Sequence, residues 1–318
     1  LTKKKKIRRK KPRRKTRKRL PITSSLVKIL SSLAVLVILI VIAGFLTHYF
    51  ILPKHTIKPA VAVFQPPVIK PPEFEVYPEE EPDIELPVSP IPDIKALPRV
   101  AIIIDDLGYN RKMAQKFLQL DAVLSFSILP YSPFKNRIAR AAYGKGLEVM
   151  LHLPMEPIEY PAINPGPGAL LMSMSPDELI RQLNKNLDDV PTIIGVSSHM
   201  GSKMTAESEQ MYQIFSILKQ RGLFFIDSRS TPQTLCKPSA RMFKIPFAER
   251  DVFIDHKPTP DFIRRQLKAL VRIAHRKGEA VGIAHPSKTT LKILREQLPE
   301  LQKQVELVPV SRIVHIIG

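Results

Sequence analysis

Cysteine is almost missing from this sequence: Cys236 is the single one in 318 residues. One thiol excludes an internal disulfide framework, a multi-cysteine zinc finger and an iron–sulfur cluster. Tryptophan is absent, and glycine is sparse, 12 residues against 31 prolines. Acidic residues are also in short supply. The 29 Asp and Glu face 49 Lys and Arg, for a formal charge of +20. No repeat of fixed period is visible, which excludes solenoids and propellers. Apolar residues are not lacking. At 44% they suffice for a sizeable core and exclude disorder along the whole chain.

An excess of +20 suggests nucleic acid at first sight. Its location argues otherwise. Residues 1–28 hold 15 Lys and Arg and no acid, leaving 34 against 29 for the rest. The excess is a tail, so no nucleic-acid partner is expected. Directly behind it, residues 29–52 carry no charged side chain, and their centre reads LAVLVILIVIAGFL. As a helix this stretch reaches about 36 Å, enough for a ~30 Å hydrocarbon core. It is too long for the apolar part of a signal peptide and ends in the bulky FLTHYFIL, so an uncleaved transmembrane anchor is expected. Basic residues stay cytoplasmic. The tail then lies inside, against anionic lipid, and everything after 52 lies outside.

Residues 53–98 contain 12 prolines and no glycine, and their second half is acidic. This reads as a semi-stiff spacer over 53–97. From 98 on, apolar runs alternate with amphipathic stretches. Strands are expected at 99–105, 123–129, 147–153, 192–198, 223–228, 251–255, 280–285 and 305–310. Helices are expected near 110–120, 133–145, 175–188, 206–221, 259–277 and 287–302. Such alternation indicates an α/β domain with a parallel sheet, either a (β/α) barrel or a doubly wound sheet.

Asp and His recur at the carboxyl ends of these strands. Asp105 and Asp106 end the first, His152 the third, His199 follows the fourth, Asp227 ends the fifth and His285 the seventh; Asp251 and Asp255 flank the sixth. That edge carries the active site in barrels and open sheets alike. Charged groups at the ends of apolar strands cost desolvation unless paired or bound to metal. Two imidazoles and a carboxylate make a catalytic zinc-type set, which Asp106, His152 and His199 can supply. Asp105 is left as a base and His285 as an acid, the parts of a metal-dependent hydrolase. Adjacent strand residues face opposite ways, so Asp105 and Asp106 meet only if the chain turns, as Gly108 permits. Simpler roles compete: Asp227 as a helix cap, Arg250 and Asp251 as an ion pair on the rim, Glu156 as a support for His152 or a rival ligand. Cys236 has no histidine partner and is not expected to be a nucleophile.

The segments IIIDDLG, EVMLHLPMEP, SSHMGSKMT, FFIDSRST, ERDVFID and GIAHP resemble, in order and spacing, the motif series of the divergent polysaccharide deacetylases. The resemblance covers about 100–314. It implies a distorted (β/α) barrel of about seven strands, a bacterial envelope protein, and an N-acetylated glycan as substrate. It further implies Asp105 as base, Asp106 as ligand and His285 as acid. Orthodox relatives carry His-x-x-x-His after the third strand. Here the pair reads His152 and Glu156, so His199 and Glu156 compete for the second position. The expectation is therefore a deacetylase at the inner membrane using a divalent metal, zinc first. A catalytically inactive module binding glycan or protein in the same cleft is the alternative.

Overall fold

The computed structural model describes residues 24–46 and 96–318. The chain divides into two units, 1–68 and 69–318. In the first, α1 (Ser24–Leu46) is a helix of 23 residues, and the described side chains at 31–42 are exposed. Among the described residues, no helix is long and apolar enough to cross a membrane. The basic run at 3–19, the end of the expected span at 47–52 and most of the spacer lie outside the described residues.

The second unit is one curled sheet covered by helices. In chain order it runs β1 (Arg99–Leu107), α2 (Arg111–Phe117), β2 (Ser125–Ile128), α3 (Lys135–Tyr143) and β3 (Val149–Met155). Then come α4 (Pro176–Asp189), β4 (Ile193–Met200), α5 (Ser208–Arg221), β5 (Phe224–Asp227), α6 (Cys236–Phe243) and β6 (Pro246–Glu249). The rest is β7 (Val252–Phe253), α7 (Pro260–Lys277), β8 (Glu279–Ala284), α8 (Lys288–Gln304), β9 (Glu306–Leu307) and β10 (His315–Ile316). The spatial order is β10-β6-β5-β4-β3-β2-β1-β8-β7, with β9 also on β1. The described pairs are parallel except β10 on β6.

The expected barrel is corrected to a half-barrel: β7 and β10 end the path and do not pair with each other. Its curl follows from connectivity. Glu249 ends β6 and Val252 starts β7 with only two residues between them, yet β6 lies near one end of the sheet and β7 at the other. Only a strongly curved sheet lets so short a link join them. The sixth expected strand shrinks to Val252–Phe253, and the eighth to Glu306–Leu307. α6, β6 and β10 are additions; β6 opens on a proline and is only four residues long, so it leaves little pattern to read.

Alternation along the strands sorts the core into two layers. Val100, Ile102 and Ile104 face the helices, with Leu151, Leu153, Val196 and Phe225. Ala101, Ile103, Met150, Phe224, Ile226, Phe253, Val281 and Ile283 face the concave interior, where Val308, Val310 and Ile313 fill the space. Burying side chains of this kind stabilises the fold by about 1.5–3 kcal/mol each.

Candidate metal centre

Inward-facing positions on four strands converge above the inner core. Asp105 shares the face of Ala101 and Ile103, His152 that of Met150, and His285 that of Val281 and Ile283. His199 follows Ser197 by two residues, so both point the same way. Asp106 has the wrong parity. A register shift between Ile104 and Leu107 and a left-handed φ of 53° at Asp106 itself bring its carboxylate round. The turn therefore lies within β1 and not, as expected, after it. Gly108 serves another purpose: a Cβ there would collide with Ser132, and Phe134 donates its N–H to the Gly108 carbonyl.

Asp106 Oδ1 lies 3.1 Å from His152 Nε2 and 3.0 Å from His199 Nδ1, and the two nitrogens are 3.1 Å apart. Four ligands at about 2.0–2.1 Å from a tetrahedral zinc stand roughly 3.3 Å from one another. The observed triangle fits that edge. Oδ1 of Asp106 is buried without a hydrogen-bond partner despite these short approaches. Its lone pair meets two other ligand atoms at a common point, and a divalent cation is the group that would satisfy all three. One carboxylate and two imidazoles form a donor set that could hold a divalent metal ion.

Electrostatics favour the forms that bind metal. Burial works against charge on Asp106, but the neighbouring His199 and His152 hold its carboxyl well below the usual range. Burial pushes the His199 imidazole down, so it stays neutral. The outer nitrogen of His152, Nδ1, is 2.7 Å from Ser197 Oγ, which in turn reaches Ser127 Oγ at 2.6 Å. With Nδ1 donating to Ser197, Nε2 keeps its lone pair for the centre. His199 Nε2 is buried and has no hydrogen-bond partner.

Asp105 and His285 flank the triangle. Asp105 Oδ1 is 3.5 Å from Ser197 Oγ and 3.8 Å from His152 Nδ1. Burial raises its pKa, which makes it a better base. His285 directs Nε2 toward Asp106, 3.8 Å from Oδ2, while Nδ1 is 2.9 Å from Asp255 Oδ1. Asp255 also accepts the His285 N–H at 2.7 Å and the Thr290 hydroxyl at 2.6 Å. Burial alone would lower the His285 pKa, but the Asp255 carboxylate, with Asp106 and Asp105 beyond it, lifts it to about 9. Tyr109, at the same rim, is raised by burial and by Asp106.

The remaining candidates lie elsewhere. Glu156 is buried, but its carboxylate accepts from Met172 N at 2.7 Å and pairs with Lys203 at 2.6 Å; it is outside the ligand cluster. Asp227 faces away from the interior, opposite in parity to Ile226. It accepts Arg229 N–H and the Thr234 hydroxyl, both at 2.8 Å, and so orders the loop after β5. Arg250 donates to the Ser228 carbonyl at 2.7 Å and lies over the Phe253 ring, one layer behind His285. Asp251 bonds Lys277 and the Val281 N–H, so the expected Arg250–Asp251 pairing gives way to Asp251–Lys277. Val281 precedes His285 by four strand residues, about 13 Å, which removes Asp251 from the site. Burial holds the Cys236 thiol well above its ordinary pKa, in keeping with an inert cysteine. Sequence reasoning missed Ser197 and Thr290. Ser197 carried a signal, a polar residue two before His199 on a buried strand; Thr290 carried none.

Residues 102–314 match the family model described as divergent polysaccharide deacetylase. The chain is 30% identical over 217 residues to the uncharacterised protein YibQ of Escherichia coli, covering 68% of this chain and 67% of that protein. It is 29% identical over 210 residues to an uncharacterised protein of Haemophilus influenzae, covering 66% and 74%. The crystal structure of the uncharacterised protein ATU2773 from Agrobacterium tumefaciens superposes with a TM-score of 0.67 at 29% identity, over 69% of this chain and 90% of that one. With a family model matched over 102–314, from within β1 to just before β10, the chain belongs to the divergent polysaccharide deacetylases.

Proposed function

We propose that this protein is a metal-dependent deacetylase acting on an N-acetylated glycan of the bacterial envelope. The observation that carries the reading is the Asp106–His152–His199 triangle, whose buried lone pairs converge with no hydrogen bond to satisfy Asp106 Oδ1. Asp106, His152 and His199 would hold the cation, zinc by preference. A divalent cation bound there supplies Lewis acidity toward the acetyl carbonyl. Asp105 removes the proton from the attacking water. His285, kept protonated by Asp255, gives a proton to the departing amine as the C–N bond breaks, and acetate and the free amino sugar result. Asp255 positions His285, and Ser197 positions His152.

Anchoring through residues 29–52, with residues 1–28 on the cytoplasmic side and the folded domain outside, is part of the same proposal. It rests on the uncharged run and the basic tail before it. The competing reading, an inactive glycan-binding module, draws on Glu156, which stands where orthodox relatives carry a second histidine and is held by Lys203. One experiment separates them: metal content of the gently purified full chain, together with acetate release from N-acetylated glycan. A bound divalent ion near one per chain and acetate release are expected. A chain that binds no metal and releases no acetate when metal is supplied overturns the enzyme reading, and glycan capture without acetate release supports the module.

A further inference from the structure

A cavity of about 240 Å³ lies in the groove between α2 and α8, outside the metal centre. Met113 and Leu291 form its floor, and Lys116, Lys288, Lys292 and Arg295 its walls. The four basic residues are exposed, and the floor is buried. Among the described residues no acid stands within ion-pair distance of Lys116, Lys288 or Arg295. Glu296 at the edge of the groove is held by Arg264 at 2.9 Å, with Lys292 at 4.0 Å. Like charges brought together around an apolar floor repel, and the fold gains nothing from them. Lys288, Lys292 and Arg295 follow one another at four and three residues, so they line one face of α8 over about 10 Å.

The groove starts at the rim of the site. α2 follows β1 and α8 follows β8, and these strands are neighbours. Lys288 comes three residues after His285, and Thr290 in the same turn holds Asp255.

We propose that this groove binds acidic groups of the polymer whose acetyl group enters the metal centre, so that the substrate is an anionic glycan and not a neutral one. The ammonium and guanidinium groups pair with its carboxylates, while Met113, Leu291 and the lysine stems take the C–H faces of the sugar rings. That the polymer is the substrate rests on the deacetylase reading; that the groove takes a carboxylated glycan does not.

Lysine-reactivity footprinting of the full, metal-free chain tests this, with a galacturonate oligomer of about ten sugars as probe and a neutral chitin oligomer as control, in about 20 mM salt. The expected result is acylation of Lys116, Lys288 and Lys292 slowed roughly threefold at about two-thirds occupancy. Lys219 and Lys237 keep their reactivity, and the protection disappears in about 500 mM salt. In the exposed-site variant Lys116→Gln, Lys288→Gln, Arg295→Gln, Lys292 loses its protection while the thermal midpoint is unchanged. Protection confined to the lysines of residues 3–18 overturns the proposal. So does equal protection by the neutral oligomer, or stronger protection by a single-stranded oligonucleotide of the same charge. Acetate release is measured in parallel on the full chain supplied with zinc, from a partly N-acetylated glycan that also carries carboxylates. Groove protection without turnover sinks deacetylation alone, and turnover without protection sinks the groove alone.

Discussion

Ser197 stands behind His152, and Asp255 behind His285; each occupies one ring nitrogen and so decides what the other can do. Removing the Ser197 hydroxyl frees His152 to rotate or change tautomer, so Ser197→Ala is expected to weaken metal binding by about 10–100-fold with the fold intact, as read by calorimetric titration. Asp105→Asn, by contrast, leaves the triangle whole; it should keep its metal and lose about 10²–10⁴-fold in kcat. Loss of metal there would show that Asp105 is a ligand. Asp255 makes the protonation of His285 a stability matter as well. A raised pKa means that the folded state holds the proton more tightly than the unfolded one. The stabilisation is complete below about pH 6.5 and is lost as pH rises through about 9. In the metal-free chain, NMR titration of His285 should show a midpoint near 9, falling toward the ordinary histidine range in Asp255→Asn. An unmoved midpoint would assign the elevation to another group. Glu156→Gln should leave metal content unchanged, because Glu156 serves Lys203 and Met172.

At the level of single elements, β1 does the most unusual work. It contributes two carboxylates from neighbouring positions only because its register slips and Asp106 takes a left-handed conformation. Tyr131, Met200 and Arg229, just beyond β2, at the end of β4 and just beyond β5, also have positive φ. Such conformations cost about 1–3 kcal/mol each and are held by their surroundings. The loop after β1 is clamped by Gly108, whose φ is +130° and whose missing Cβ makes room for Ser132. Gly108→Ala is expected to destabilise by about 2–4 kcal/mol and lower Tm by several degrees. Adding Ser132→Gly should recover only part of the loss, because the backbone strain remains; full recovery would mean that the clash alone matters. α4 starts with a complete capping box between Ser175 and Glu178. Its loss in Ser175→Ala should cost about 1 kcal/mol.

Across the whole domain, a curled sheet that does not close needs its interior filled from elsewhere. The segment after β9 does this, passing under the site with Val308, Val310 and Ile313 before β10 pairs with the far edge of the sheet. Ile313→Ala should cost about 2–4 kcal/mol by opening a cavity against the inner faces of the strands, measured by denaturant unfolding. A loss below about 0.5 kcal/mol would mean that the plug is not packed. Much of this domain was written locally in the chain. The period of two along each strand fixes which residues share a face, Asp105 with Ala101 and Ile103 and Asp227 opposite Ile226, since side-chain direction on a strand is a local property; which face is the inner one was decided by packing. Helix bounds were legible for the same reason: the ranges expected at 175–188, 206–221 and 259–277 are met within two residues by α4, α5 and α7. What local pattern could not supply was decided by packing: the slip that turns Asp106 inward, the placing of His199 rather than Glu156 beside Asp106 and His152, the open edge of the sheet and the plug beneath it. Those outcomes depend on which distant segments press on one another. Lys203 claims Glu156 across 47 residues, and the Asp106 triangle forms only when β1, β2, β3 and β4 lie side by side, with β2 between the strands of Asp106 and His152.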